Sequence, residues 1–316
     1  MVFEERPSWL QIVLHLRSSV LTRIWGRLLT TTLFALIVTQ AFQFELVPGI
    51  EQLSLTAAPF SLIGLALGIF LGFRNNTSYQ RFWEGRILWG RLVNTSRSLT
   101  RQVLTLAQAS PEDADALAGF QRAFVHRLAA YVHALRFHLR DEPEGYRRDL
   151  SRLLPNDDLE ALVASSNPPI ALIQTLGERA TEAWQRGWIE SFHLPTFEAS
   201  LTSLTDIQGG CERIRSTPIP FSYTILIHRI VAVYCLALPF GLVTTTHQVT
   251  PLVVLLVSYA FFGLDAIGDE IENPFGCDDH DLPLQAMSTM IEVNVREQLG
   301  ETDLPAIRKP IDNVLS

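Results

Sequence analysis

Charge is scarce in this chain of 316 residues: 18% are Asp, Glu, Lys or Arg, 47% are apolar, and the mean hydropathy is +0.18. Soluble proteins carry about 25% charged residues, so part of this surface faces lipid rather than water. A basic excess is also missing. The net charge of −8 excludes nucleic acid as a partner, because phosphate binding rests on a basic surface. Cysteine is limited to Cys211, Cys235 and Cys277, an odd number at wide spacing, which excludes a disulfide framework and a zinc site and leaves reduced, structural thiols. No GxSxG elbow, phosphate-cradling loop or locally activated cysteine occurs, so the chain is not read as an enzyme. The first apolar run follows a polar amphipathic stretch and has no small-residue cleavage site, unlike a signal peptide. Internal repeats, low-complexity tracts and strand patterns are absent as well.

What is present is a set of long apolar runs. Residues Pro7 to Arg27 mix Trp9, Leu10, Ile12 and Trp25 with Arg17, Arg23 and Arg27, an amphipathic lead-in at a membrane surface. From Leu28 to Val47 the one acidic group is Glu45, and the run covers the roughly 30 Å hydrocarbon core before Pro48 and Gly49 close it. A second span starts at Ala57 and passes beyond Phe73 without a break into Arg74, Arg81, Arg86 and Arg91; the spacing predicts one helix to about Ala109. Phe221 to Val243 and Val249 to Ile267 predict a third and a fourth span. The arginines flanking the first two spans put both termini in the cytoplasm.

Four parts follow. Residues 1–73 hold the lead-in and two spans, 74–217 a helical cytoplasmic domain, 218–267 two more spans, and 268–316 a cytoplasmic segment with an acidic loop. Within 74–217, Ser110-Pro111, Pro155, Asn167-Pro168-Pro169 and Leu194-Pro195 each open a helix, while 141–146, with Pro143 and Gly145, reads as a loop. The fold class is all-α.

Three constellations stand out. On the second span Gly64, Gly68 and Gly72 form one row and Leu65, Ile69 and Phe73 the next, both with a four-residue period. The glycine row suits close helix packing. The bulky row either packs against a neighbour or, if several copies surround an axis, stacks as apolar rings that gate ions by dewetting. Second, the stretch from Asp265 to Asp281 is rich in carboxylates with one histidine, and reads as a solvated turn, a calcium loop, or a metal-hydrolysis site at Asp278, Asp279, His280 and Asp281, although its spacing matches no metalloenzyme motif. Third, His228 and Arg229 sit inside a span near its cytoplasmic end, where they either serve function or snorkel and pair at the boundary.

Three segments carry a family resemblance: GFRNNTSYQRFWEGRILWG from Gly72, GGCERIRSTPIPF from Gly209 and NPFGCDDHDLP from Asn273. In this order, with these spans, the chain resembles bacterial bestrophin homologues along nearly its whole length. The resemblance implies a homopentamer with four transmembrane helices per subunit around one pore, in a bacterial inner membrane, passing small monovalent ions. It puts the neck at Leu65, Ile69 and Phe73, the row already picked out by spacing. It implies a second, cytoplasmic aperture at Phe192, with Ile189 or Leu194 as alternatives. It also implies a candidate calcium clasp at Asp278 and Asp281 with Asn273, though Cys277 and His280 interrupt the acidic run and no cofactor is required. The family points to chloride; the sign of the permeant ion is not readable from apolar rings, and a sodium-type cation channel of the same fold is the alternative. From another class, a membrane-anchored helical scaffold or sensor without conduction needs neither a lumen nor five-fold symmetry.

Overall fold

Helix is the only regular secondary structure among the residues described. The structure, a computed structural model, describes residues 19–45 and 54–310 together with Trp9. The α-helices are α1 (Leu21–Gln43), α2 (Ala57–Leu106), α3 (Ala114–Arg140), α4 (Glu144–Leu150), α5 (Asn156–Val163), α6 (Pro168–Gln185), α7 (Leu194–Ser216), α8 (Phe221–Thr246), α9 (Thr250–Glu272) and α10 (Leu284–Gln298). Single turns of 3-10 helix at Pro111–Asp113 and His247–Val249 lead into α3 and α9. Contacts divide the chain into two units. One holds Glu4–Phe82 and Pro218–Asn273; the other holds Trp83–Thr217 and Pro274–Ser316.

The first unit is built from apolar helices. Three stretches, Leu21–Gln43, Ala57–Leu106 and Phe221–Glu272, are long and apolar enough to cross a membrane. The turn at His247–Val249 divides the last of them, with His247 at φ +48°. Helices α8 and α9 then run back along each other, the Tyr234 and Phe261 rings meeting at 5.2 Å and the His228 ring meeting Asp265. Ile24, Leu28, Leu67, Leu71, Val231, Leu238, Val254 and Phe262 fill the space between the four helices. Outward, Leu33, Ile37, Val233, Leu252 and Leu256 are exposed, the arrangement expected where the solvent is hydrocarbon. Several hydroxyls in these helices bond to their own backbone. Thr39 Oγ1 donates to the Ala35 carbonyl at 2.7 Å and Thr246 Oγ1 to that of Leu242 at 3.0 Å, so their hydroxyls need no water. Pro239 lies inside α8, where it removes one helix hydrogen bond.

Helix ends differ from the sequence expectation in physical detail. The first span is Leu21–Gln43 rather than Leu28 to Val47, starting about two turns before the apolar run, where the Ser19 hydroxyl accepts from the Leu21 amide at 3.3 Å. The expected stop at Pro48 and Gly49 lies outside the described residues, as does most of the lead-in from Pro7. Helix α2 ends at Leu106, not Ala109, because the Gln108 amide turns away to donate to the Trp188 carbonyl at 2.8 Å.

In the second unit α3 is the hub. Phe124, Leu128, Tyr131 and Leu135 are fully buried, and the Tyr131 hydroxyl donates to the Leu204 carbonyl of α7 at 3.0 Å, burial raising its pKa well above the ordinary tyrosine value. The segment 141–146, expected as a loop, already starts α4 at Glu144. Gly145 is needed there because the Phe137 ring occupies the space a Cβ would take. The C-terminal segment, expected to carry an acidic loop, also contains α10; its Leu284, Met287, Ile291 and Val295 form a buried helical stripe. On the same helix Glu292 is completely buried. It accepts from His133 Nε2 at 2.8 Å, from both terminal nitrogens of Arg152, and from Arg296 at 2.9 Å. Burial raises the pKa of this carboxyl, but the hydrogen bonds from His133 and Arg152 and the charges around it outweigh that and hold it well below the usual range.

Candidate functional site: an apolar helix face backed by an ion cluster

Helix α2 presents two different sides within the first unit. Leu67 and Leu71 point into the helix bundle at 4% and 0% exposure, whereas Leu65, Ile69 and Phe73 are 64%, 51% and 65% exposed. Three large apolar side chains on one ridge, one helical turn apart, are thus left uncovered by their own chain. Beyond them the same face carries the exposed Asn76 and Gln80, so the row changes from apolar to polar just after Phe73.

The glycine row divides. A Cβ at Gly64 would lie 2.6 Å from the Tyr234 hydroxyl, and that hydroxyl donates to the Phe60 carbonyl at 3.2 Å, so Gly64 lets α8 close on α2. Around Gly68 and Gly72 there is nothing within 4 Å, leaving those positions open for a surface outside this chain.

The residue after Phe73 anchors the helix. Arg74 is 1% exposed and donates to Asp265 at 2.8 Å and to Asp269, with Glu272 3.9 Å away. His228 Nδ1 lies 2.6 Å from the other Asp265 oxygen and its Nε2 is 3.5 Å from Asp269. Asn75 donates to the Leu264 carbonyl at 2.9 Å, and Arg81 to that of Glu272 at 2.9 Å. Gly268 permits this approach, because a Cβ there would strike the Asn75 amide oxygen. The stretch from Asp265, expected as a solvated turn, therefore stays helical to Glu272. Asp265 is 1% exposed because a buried guanidinium in an apolar bundle demands a carboxylate. Of the two ionisable groups expected inside the third span, His228 joins this cluster and Arg229 is exposed. His228, Asp265 and Asp269 lie within metal-ligand distance of one another. However, Arg74 occupies both carboxylates and the two imidazole nitrogens face different ones, so the set works as an ion cluster rather than a cation cage.

The other expected residues lie elsewhere. Phe192 is 71% exposed in the turn before α7, its ring centroid 4.2 Å from that of His193, while Ile189 is buried at 2% and has no free surface to offer. Asn273 caps the end of α9. Asp281 is 4% exposed and accepts from the Asp278 amide at 2.8 Å, closing a local turn. Calcium takes six to eight oxygens, backbone and amide carbonyls among them, and no step is derived from a bound calcium.

Comparison with known proteins bears on this geometry. Residues 1–297 match the family model described as Bacterial/Fungal Bestrophin protein. A voltage-dependent anion channel-forming protein of Ralstonia nicotianae is 44% identical, covering 96% of each chain. Another so named, from Escherichia coli, is 37% identical over 97% of this chain and 96% of its own. The crystal structure of a bacterial bestrophin homologue from Klebsiella pneumoniae superposes with a TM-score of 0.81 at 37% identity, covering 88% of this chain and 99% of the other.

Proposed function

The chain belongs to the bacterial and fungal bestrophin family, and from that premise we propose that it forms an anion-conducting pore in which α2 lines the axis. Several copies, five by the family's pattern, surround that axis in the bacterial inner membrane, with both termini in the cytoplasm. The observation that carries the reading is the exposure of Leu65, Ile69 and Phe73 on a helix whose other side is sealed into its own bundle. Stacked around an axis, these side chains make apolar rings without a hydrogen-bond donor or charge. Water leaves such a constriction readily, and an ion must shed hydration to pass, so the neck gates by dewetting. Gly68 and Gly72, open within one chain, let adjacent copies of α2 approach. The Arg74 cluster fixes the rotation of α2 directly beneath the last ring and so fixes which residues face the lumen. Phe192 supplies the cytoplasmic aperture, and calcium is not required for conduction.

The relatives' names favour anions, and the apolar rings by themselves do not choose a sign. Reversal-potential measurement with the purified protein in asymmetric salt across a planar bilayer tests both points. Anion-directed reversal is expected; cation-directed reversal would transfer the same pore to sodium-type selectivity, and absence of current from the assembled protein would leave a scaffold.

A further inference from the structure

We propose that the first unit binds a phospholipid with an anionic headgroup in the groove beside α1, its phosphate held by Arg23 and Arg27. The groove encloses about 580 Å³ and runs from these two arginines past Thr30 to Ala232, Leu236 and Phe262. One end is cationic and the other is hydrocarbon. Arg23 and Arg27 are one helical turn apart on α1, so their guanidinium groups share a side of the helix. Their side chains are 43% and 52% exposed; Arg23 has Glu270 at 3.7 Å among its partners, and Arg27 lies 3.7 Å from Asp265, at the outer edge of ion-pair distance. Asp265 is engaged at shorter range by Arg74 and His228, so it neutralises Arg27 only in part. A guanidinium has five donors in a planar fork, so Arg27 can keep its carboxylate contact and still take two phosphate oxygens, with the Arg23 charge beside it.

Position in the membrane selects the ligand. The arginines sit at the end of α1 that the positive-inside rule puts at the cytoplasmic headgroups, with Trp25 between them 62% exposed, as interfacial tryptophans are. Ala232 and Leu236 lie one and two turns deeper along α8 than His228, at acyl-chain depth. Gly26 leaves the floor between the two arginines open, with nothing within 4 Å of its Cβ position. A basic pocket between transmembrane helices on the cytoplasmic side has the chemistry that retains anionic lipid headgroups. Free phosphate lacks the hydrocarbon that fills the inner end. The inference rests on the membrane placement and not on conduction, so lipid retention is read without ion flux.

The test is native mass spectrometry of the full-length protein in detergent, titrated with dioleoyl phosphatidylglycerol, dioleoyl phosphatidylcholine or inorganic phosphate. Phosphatidylglycerol is expected to bind about thirtyfold more tightly than phosphatidylcholine, from two arginines near the surface. The double change Arg23→Gln with Arg27→Gln is expected to remove that preference. Leu236→Trp, which fills the inner end while leaving both arginines, is expected to weaken both lipids. Equal binding of the two lipids, an unchanged preference in the double variant, or displacement of the lipid by inorganic phosphate would overturn the proposal. So would a change of oligomer mass in the double variant, which would assign the groove to a second copy of the chain.

Discussion

Two ion clusters, each around a buried charge, are built on opposite principles. Around Arg74 one cation faces Asp265, Asp269 and Glu272, with a histidine on the far side, all carried by apolar helices. Around Glu292 one anion faces Arg152, Arg296 and His133 in the second unit. In the first cluster the central charge comes from α2 and sets its rotation. In the second the central charge comes from α10 and ties down a helix near the end of the described chain. A buried charge that is fully paired contributes little net stability, but removing one partner strands the other, so both clusters specify geometry more than they add free energy.

Deleting each central charge has the largest expected effect. Arg74→Ala and Glu292→Ala are each expected to cost about 3–5 kcal/mol, read as a lowered unfolding temperature in detergent. The first should also abolish conduction in whatever protein survives, since α2 loses its rotational anchor. Arg74→Met combined with Asp265→Leu should recover much of the stability but not the conductance. The second effect is acid sensitivity. The Glu292 carboxyl is held below its unfolded value, so its contribution is complete above about pH 4.3 and is lost as pH falls toward the folded value. Acid titration of unfolding should show this slope in wild type and lose it in Glu292→Gln. Smaller in stability is Ile69→Ala, which should leave assembly intact and raise single-channel conductance; an unchanged current in an intact oligomer would remove Ile69 from the lumen. Gly64→Ala should cost about 1–3 kcal/mol by overpacking against Tyr234, while Gly68→Ala should be felt in oligomer mass rather than in the unit's own unfolding. Least of all, millimolar calcium should leave the current unchanged in wild type and in Asp278→Ala alike.

What the sequence made legible was local. Pro111, Pro168 and Leu194-Pro195 mark helix starts through proline's fixed φ and missing donor, and the helices open within a residue or a few of them. The four-residue period of Leu65, Ile69 and Phe73 was readable because a helix face is a property of one segment, and those residues are exposed together. Helix α10 carried its own stripe at Leu284, Met287 and Ile291, but the acidic run before it masked the pattern. Helix α4 was hidden by Gly145, whose reason is the Phe137 ring and not a turn. The Arg74 cluster was illegible for a different reason. Nothing near Asp265 in sequence tells that its partner is a guanidinium on α2; the clue lay only in the rule that a charge within an apolar bundle requires an opposite one.

That partnership has a consequence in time. Arg74 and Asp265 are separated by 191 positions. At the usual rate of about 5–20 residues per second, synthesis of the intervening chain takes roughly 10–40 s, and through that interval none of the arginine's three carboxylate partners exists. The nascent helix α2 must wait with this side chain at the headgroup border, and its final seating belongs to the last act of biogenesis, when α9 leaves the ribosome.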